Sequence, residues 1–294
     1  MNAPLAERFD LASLPAIPRP GRVLLTTPAH FRVAYVINPH MAGNVGTVDP
    51  ERARAQWEAL RDAYERLGVT VRVMEGVEGL PDMVFCANQT LPYHAPGGAR
   101  GVVLSRMHAE QRKPEVLHYA RFFEAEGYDV RGLDPDLPGD FEGMGDALWH
   151  PGRYLLWGGY GYRTSRVVYE RFAEKLGIPV LPLSLQDPDF YHLDTCLCPL
   201  DEATALYYPG AFDDEGRALL KAHFETLIEA PEDEARRLFA CNAHSPDGRH
   251  VLIQRGCEAT NRALQGAGYE VVELDTDEFL KSGGSVFCMK LMFW

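Results

Sequence analysis

Apolar positions recur along the chain in one repeated order: a short apolar run, an amphipathic helix, then an alternating strand. The first copy shows it most plainly. Asp49 and Pro50 read as an N-cap followed by a proline at the first helical position; Trp57, Leu60, Tyr64 and Leu67 follow at helical spacing, and Gly68 closes the helix before a strand at 69–74. The order returns at 114–127, where Leu117, Ala120 and Phe123 precede a strand at 128–133. It returns again at 165–177, with Val168, Phe172 and Leu176 before a strand at 178–183, and at 258–268 before a strand at 269–274. A further helix is expected over 214–228, although its exit lacks a glycine. The apolar runs ahead of the helices, at 31–37, 101–105, 154–157, 204–208 and 250–254, read as strands.

After each helix–strand step comes a segment mixing apolar and chemically capable residues: DMVFCANQT, FEGMGDAL, YHLDTCLC, LFACNAH and GGSVFCMKL. Their residues Asn88, Glu142, His192, Asn242 and Cys288 are separated by 54, 50, 50 and 46 positions. A unit repeated five times cannot bury its faces alone, so the copies must pack on each other, and a ring brings equivalent positions to its centre. The expected fold is therefore α/β, a ring of five copies. With 294 residues, a rule of about 150 per domain suggests two domains. The repeat favours a leader over 1–20, read as flexible from its Ala and Pro content, and a single domain over 21–294.

Composition narrows the partners. Net charge is −13 and no Lys/Arg run occurs, which disfavours nucleic acid and anionic membrane surfaces. No apolar stretch approaches the ~20 residues of a membrane span, and no secretion signal is evident at the start. The six scattered cysteines are then expected as reduced thiols in a cytoplasm.

A thiol, an imidazole, carboxylates and amides gathered at one centre are the equipment of cysteine nucleophilic catalysis. Cys288 follows the Gly283-Gly284 turn and is the leading candidate, with Cys196 and Cys198 as rivals. His192 and Asp194, two apart in what reads as a strand, would share a face and form an acid/base beside a charge partner. Glu142 and Asp146 flank glycines, which argues against a helix there and for an exposed turn whose acids suit a cation. His192, Cys196 and Cys198 form H-x3-C-x-C, but no second ligand pair appears, so no metal is expected. Signatures of dinucleotide, P-loop, serine-hydrolase and zincin sites are also missing, and no cofactor is expected. Acids, a thiol and a histidine together suit a cationic, electrophilic carbon, that is, a small guanidino substrate whose planar N–H fork carboxylates can grip.

These segments resemble the guanidino-group-modifying superfamily of arginine deiminases, amidinotransferases and dimethylarginine dimethylaminohydrolases, and most of all the hydrolase domain of cyanobacterial arginine dihydrolases. The likeness lies in HFRVAYVINPHM, PDMVFCANQTL, LSRMH, FEGMGDAL, GGYGYRTS, FYHLDTCLCPL, YYPGAF, FACN and FLKSGGSVFCMKL, in that order. It implies a five-bladed α/β propeller, or pentein, with one site on its axis. It further implies Cys288 as nucleophile, His192 as general acid/base, and Glu142 and Asp194 as a guanidinium clamp, with Asp146 in or behind it. Asn38, Arg106 and Arg163 resemble substrate-binding positions, the arginines being suited to an α-carboxylate. Asn88 stands where deiminases and dimethylaminohydrolases carry an acid. An amide can donate to a ureido oxygen that a carboxylate would repel, so the expected reaction runs from arginine through citrulline to ornithine, carbon dioxide and ammonia. Release of citrulline, dimethylaminohydrolase activity, an amidinotransferase with an amine acceptor, and a non-catalytic binding propeller are the alternatives. The sequence ends at Trp294 without the further C-terminal domain of the cyanobacterial proteins, so channelling to a second activity is not expected. Oligomeric state is not legible.

Overall fold

Five small sheets of one pattern account for the repeated order in the computed structural model, which describes residues 10–294. In each sheet a short strand near the axis pairs antiparallel with a central strand, and the central strand pairs parallel with an outer one. The second blade is Thr90–His94, Arg100–Leu104 and Asp129–Arg131. The third is Ala147–Trp149, Leu156–Tyr160 and Val180–Ser184, and the fourth is Leu197–Pro199, Thr204–Tyr207 and Thr226–Glu229. In the fifth, His250–Gln254 pairs with Glu270–Leu274, and an isolated bridge from His244 to Leu252 takes the place of the inner strand. The first blade joins both ends of the chain: the C-terminal strand Leu291–Phe293 lies against Arg22–Thr26, which pairs with Thr70–Met74.

Parallel pairing requires a crossover. Helices Pro50–Arg66, Glu115–Ala125, Arg166–Leu176, Asp214–His223 and Glu258–Gly266 supply one per blade. Asp49 caps the first through the amides of Glu51 and Arg52, and Gly177 ends the third in the left-handed region. Each helix buries one apolar stripe on its sheet. Trp157, wholly buried in the central strand of the third blade, stacks on Phe224 of the fourth at 5.2 Å.

Hydrogen bonds between the motif segments close the ring. Arg106 and Phe141 exchange backbone bonds between blades two and three, and the Leu193 amide reaches Asp146 between four and three. The Asn242 amide donates to the Asp194 carbonyl, the Phe287 amide to the Asn242 carbonyl and the Ala87 amide to the Cys288 carbonyl.

Several expectations are corrected. The run at 31–37 forms no strand: Phe31 instead stacks on Phe279 at 4.8 Å, and Arg22–Thr26 is the central strand of that blade. The helix expected over 214–228 stops at His223, because Phe224 turns to extended backbone and Thr226–Glu229 enters the sheet. Residues 10–20 are not a free leader. The Ile17 amide donates to Gly152, the Pro15 carbonyl accepts from Tyr154, and the Pro18 carbonyl accepts from the Trp294 indole. The rest of that expected leader, 1–9, lies outside the described residues. Among the described residues no helix is long and apolar enough to cross a membrane.

If blades three and four are locked by this stacking, Trp157→Ala should lower stability by about 3–5 kcal/mol in urea unfolding. Asp49→Ala, which only removes a helix cap, should cost about 1 kcal/mol.

Candidate active site

The motif segments are built mostly from single turns rather than strands, so successive side chains fan around the axis. Gly143–Asp146 is one helical turn, contrary to the expectation that its glycines exclude a helix. Leu193–Thr195 is a 3-10 turn with His192 at its N-cap, so His192 and Asp194 do not share a strand face. The turn sends them to different partners. His192 Nε2 meets Glu142 Oε2 at 2.6 Å, and Asp194 Oδ2 accepts from Cys288 Sγ at 3.2 Å.

Cys288 sits in a tight turn in which the Met289 amide donates to the Ser285 carbonyl. Gly283, with φ +82, begins that turn, and a Cβ there would lie 2.9 Å from Asn38 Oδ1. Only glycine meets both demands. Asn242 braces the turn: its Oδ1 accepts from the Ser285 and Cys288 amides, and its Nδ2 lies 3.2 Å from Cys288 Sγ.

The site is buried and acidic. Burial pushes Asp194 up to about 7 despite the Cys288 hydrogen bond and the Lys290 charge, and Oδ1 of Asp194 has no partner among the described residues. Burial and the Asp194 carboxylate push the Cys288 thiol well above its ordinary value. Glu142 goes the other way. Burial would raise it, but the His192 hydrogen bond and the charges of His192, Arg163 and Arg112 bring it down to about 2. Its second oxygen accepts the His108 amide at 2.9 Å.

A narrow cleft opens above the sulfur, lined by Cys288, Asn88, Arg163, Asn38, Asp82, Tyr191 and their neighbours. Arg163 donates to the Ile37 carbonyl at 2.6 Å, pairs with Glu142 at 3.3 Å and lies over the Tyr191 ring. Asn38 caps the turn Pro39–Met41 and donates to the Ser282 carbonyl at 3.0 Å, so it shapes the cleft with its polar atoms engaged. Asp146 stands behind: its two oxygens accept Thr164 Oγ1 and the Leu193 amide, which fixes the His192 turn. Arg106 does not join them. Its guanidinium donates to the carbonyls of Asp134, Leu137 and Gly139, and it is absent from the cleft wall. The rival thiols also lie elsewhere, with Cys196 on backbone carbonyls and Cys198 on the Ala243 carbonyl, each pushed up by burial.

Two cleft residues carry no sign in the sequence pattern. Arg112, 4 % exposed, pairs with Glu115 at 3.0 Å and donates to the Asp82 and Phe85 carbonyls. Its Nη1 donates to Asn88 Oδ1 at 2.8 Å. A guanidinium offers only donors, so it orients the Asn88 amide: oxygen outward to Arg112, nitrogen inward, 3.5 Å from His192 Nδ1. Asp82 receives Tyr35 Oη at 2.6 Å and Ser282 Oγ at 3.1 Å. It lay in the PDMVFCANQ segment, but the repeat singled out Asn88 there.

Five α/β blades around an axis, with a thiol, an imidazole and carboxylates buried at one end, make this a pentein with the equipment of a guanidino-modifying hydrolase. The chain belongs to the dimethylarginine dimethylaminohydrolase family: the model described as "N,N dimethylarginine dimethylhydrolase, eukaryotic" matches residues 40–292. It is 39% identical over 272 residues to the bifunctional arginine dihydrolase/ornithine cyclodeaminase AgrE of Nostoc sp., covering 92% of this chain but only 37% of that protein. It is also 39% identical over 277 residues to the N(G),N(G)-dimethylarginine dimethylaminohydrolase of Mycobacterium tuberculosis, covering 93% of this chain and 86% of the relative. Among solved structures, the substrate-bound N-terminal domain of the cyanobacterial arginine dihydrolase ArgZ superposes with a TM-score of 0.86 at 37% identity, over 92% of this chain and 97% of that domain. A variant of the same domain is described as covalently bonded to a reaction intermediate.

Because the Asp194 carboxylate holds the Cys288 thiol protonated, Asp194→Asn should make Cys288 several-fold more reactive toward iodoacetamide at pH 8. Peptide mass spectrometry separates it from the other buried thiols. An unchanged rate would remove Asp194 as the controlling charge.

Proposed function

We propose that the protein is a cysteine-dependent hydrolase of free arginine that carries the guanidino carbon through two rounds of attack, releasing ornithine, carbon dioxide and ammonia. One observation carries the reading: Cys288 Sγ lies 3.2 Å from an Asp194 carboxylate whose other oxygen is buried without a partner among the described residues. An orphan buried acceptor of this kind calls for a donor, and a guanidinium N–H supplies one beside the sulfur. Asp82 and Arg163 in the cleft wall are opposite charges suited to the ammonium and carboxylate of an amino acid. Two of the chains similar over nine-tenths of this one are named for arginine and for a methylated arginine.

In the proposed cycle the Cys288 thiolate bonds to the guanidino carbon, and the tetrahedral centre collapses with loss of ammonia, its proton supplied through His192. The resulting thiouronium is attacked by water that gives a proton to His192, the C–S bond breaks, and citrulline is formed with Cys288 restored. Glu142, ionised at any working pH, holds His192 and stabilises its charged form. In the second round Cys288 bonds to the ureido carbon and ammonia leaves; water then breaks the C–S bond, restoring Cys288, and the carbamate so formed loses carbon dioxide as its C–N bond breaks, leaving ornithine. That round needs a grip on a neutral ureido group, whose oxygen accepts rather than donates. Asn88, with its NH2 turned inward by Arg112, offers the matching donor. This is what favours the dihydrolase over release of citrulline. The joint presence of Cys288, His192 and Glu142 weighs against a non-catalytic propeller.

Incubation with arginine, dimethylarginine, agmatine and citrulline, followed by product identification, tests the reading. Arginine should yield ornithine, Cys288→Ala should be inert, and His192→Asn should lower kcat by about 10²–10⁴-fold. Citrulline without ornithine would reject the second round, and turnover by Cys288→Ala would reject the whole assignment. In Asn88→Asp the ornithine-to-citrulline ratio should fall at least about tenfold, roughly 1.4 kcal/mol of lost discrimination. Asp194 must be ionised to hold a cation, and it is pushed up to about 7, so kcat/KM should rise with pH through neutrality. That limb should be missing in Asp194→Asn.

A further inference from the structure

The axis has a second end. Three of the motif segments continue within a few residues to a cavity of about 80 Å³ on the far side of the ring. Cys288 leads to Lys290, Met292 and Trp294; Glu142 leads to Met144, Leu148 and Trp149; Asn242 leads to His244 and Ser245. The docked segment Ile17–Pro20 forms one more wall.

The charge of this wall runs against that of the chain. The sequence has 42 acidic residues against 29 Lys and Arg, yet no Asp or Glu lines the cavity, while Lys290, Arg19, His150 and His244 do. Two of these are committed. His150 uses one ring nitrogen on the Glu202 carbonyl and the other on the Trp157 indole, and His244 Nδ1 meets Tyr64 Oη. Lys290 is different: it is 1% exposed, its Nζ stands 3.0 Å from the centre of the Phe287 ring, and it makes no hydrogen bond or ion pair among the described residues. An aromatic face compensates only part of a buried ammonium's lost hydration and leaves its three N–H donors unused. Burial pushes this ammonium down to about 7 against the upward pull of Asp194. Arg19, exposed at the rim, adds a second cation.

We propose that this cavity is a binding site for a small organic monocarboxylate, its oxygens held by Lys290 and Arg19 and its carbon chain lying against Trp149, Phe287 and Trp294. One buried ammonium matches one negative charge, and the apolar walls, with Leu148 and Met292, favour an amphipathic anion over a fully hydrated inorganic one. The site also reaches the thiol: Lys290 closes the turn of Cys288 by donating its backbone amide to the Phe287 carbonyl, and its charge acts on Asp194. An occupant therefore alters the electrostatics beneath the nucleophile without entering the cleft.

Binding is read directly from the indole N–H signals in ¹H–¹⁵N spectra, each assigned by a Trp→Phe variant, while propionate is added. Propylammonium, of similar shape and opposite charge, is the control. Propionate should shift Trp149 and Trp294 saturably in the millimolar range and leave Trp57 in place, and propylammonium should do neither. Lys290→Met replaces a buried charge by an apolar chain of similar length, a change that folds tolerate; an unmoved Trp57 signal confirms the fold, and Lys290→Gln serves as a second variant. In both, the propionate concentration at half-shift should rise at least tenfold. Equal shifts in wild type and variants, equal response to propylammonium, or no shift of Trp149 and Trp294 at 100 mM would overturn the proposal. None of these readouts depends on turnover of arginine, so they stand or fall apart from the proposed reaction.

Discussion

Ionisable groups buried where the five blades meet set the terms for everything else in this structure. Glu142, Asp146 and Asp194 are at most 1% exposed, and removing a carboxylate from water costs several kcal/mol unless donors replace the lost hydration. Several donors come from other blades: the Leu193 amide for Asp146, the His108 amide for Glu142 and the Cys288 thiol for Asp194, with Arg163 of its own blade adding a charge beside Glu142. Ring closure and carboxylate compensation are thus partly the same set of bonds. A blade that slipped would strand a charge, so the geometry of the site is enforced by the energetics of the fold. The Arg112–Glu115 pair extends this logic outward. Burial, with the Asp82 charge, pushes Glu115 up to about 7 even beside Arg112, and that costly pair is what holds the Asn88 amide in one orientation.

Much of the architecture was legible because local signals agreed with each other. Asp49-Pro50 and Gly68, or Gly177, mark helix ends through capping and left-handed backbone, and such signals need no tertiary context. The near-constant spacing of Asn88, Glu142, His192, Asn242 and Cys288 carried the rest, since equal repeats must place equal positions alike. Failures occurred where tertiary structure overrode pattern. Residues 31–37 alternate like a strand, but their aromatic ring packs on Phe279 while Arg22–Thr26 takes the ladder. Gly143 and Gly145 argued against a helix, yet one turn forms, and it is close packing that calls for glycine there: a Cβ at 143 would meet the Asn88 carbonyl at 2.8 Å and one at 145 the Asn88 amide at 2.3 Å.

The chemistry was half legible for a related reason. A thiol, an imidazole and two acids are rare enough in register to be noticed, whereas the groups that orient them look like ordinary surface residues. Arg112 lies in HAEQRKPE, a polar stretch that reads as solvated, and only the folded chain shows its guanidinium beneath Asn88. Arg106 and Arg163 were indistinguishable by type, and the structure separates them by what each guanidinium touches: three backbone carbonyls for the first, and Glu142 and the cleft for the second. Lys290 was likewise an unremarked letter after the cysteine.

The electrostatic state of the site bears on why a single centre would treat a cation and a neutral product differently. With the thiol pushed up and Asp194 near 7, the pair retains a proton at rest. A guanidinium charge about 4 Å from the sulfur is worth about 4 kcal/mol at an effective dielectric of 20, which is roughly three pKa units of thiol acidity at about 1.4 kcal/mol each. In the proposed reaction arginine therefore brings with it the field that makes its own nucleophile. Citrulline brings none, so a second attack has to draw on charges that belong to the protein. Two buried cations are in place to supply them: Arg112, acting through the inward-turned Asn88 amide, and Lys290, acting on Asp194 from below. Of the two, Arg112 keeps its charge at every working pH, whereas Lys290, which burial pushes down to about 7, carries its charge only in part at neutrality.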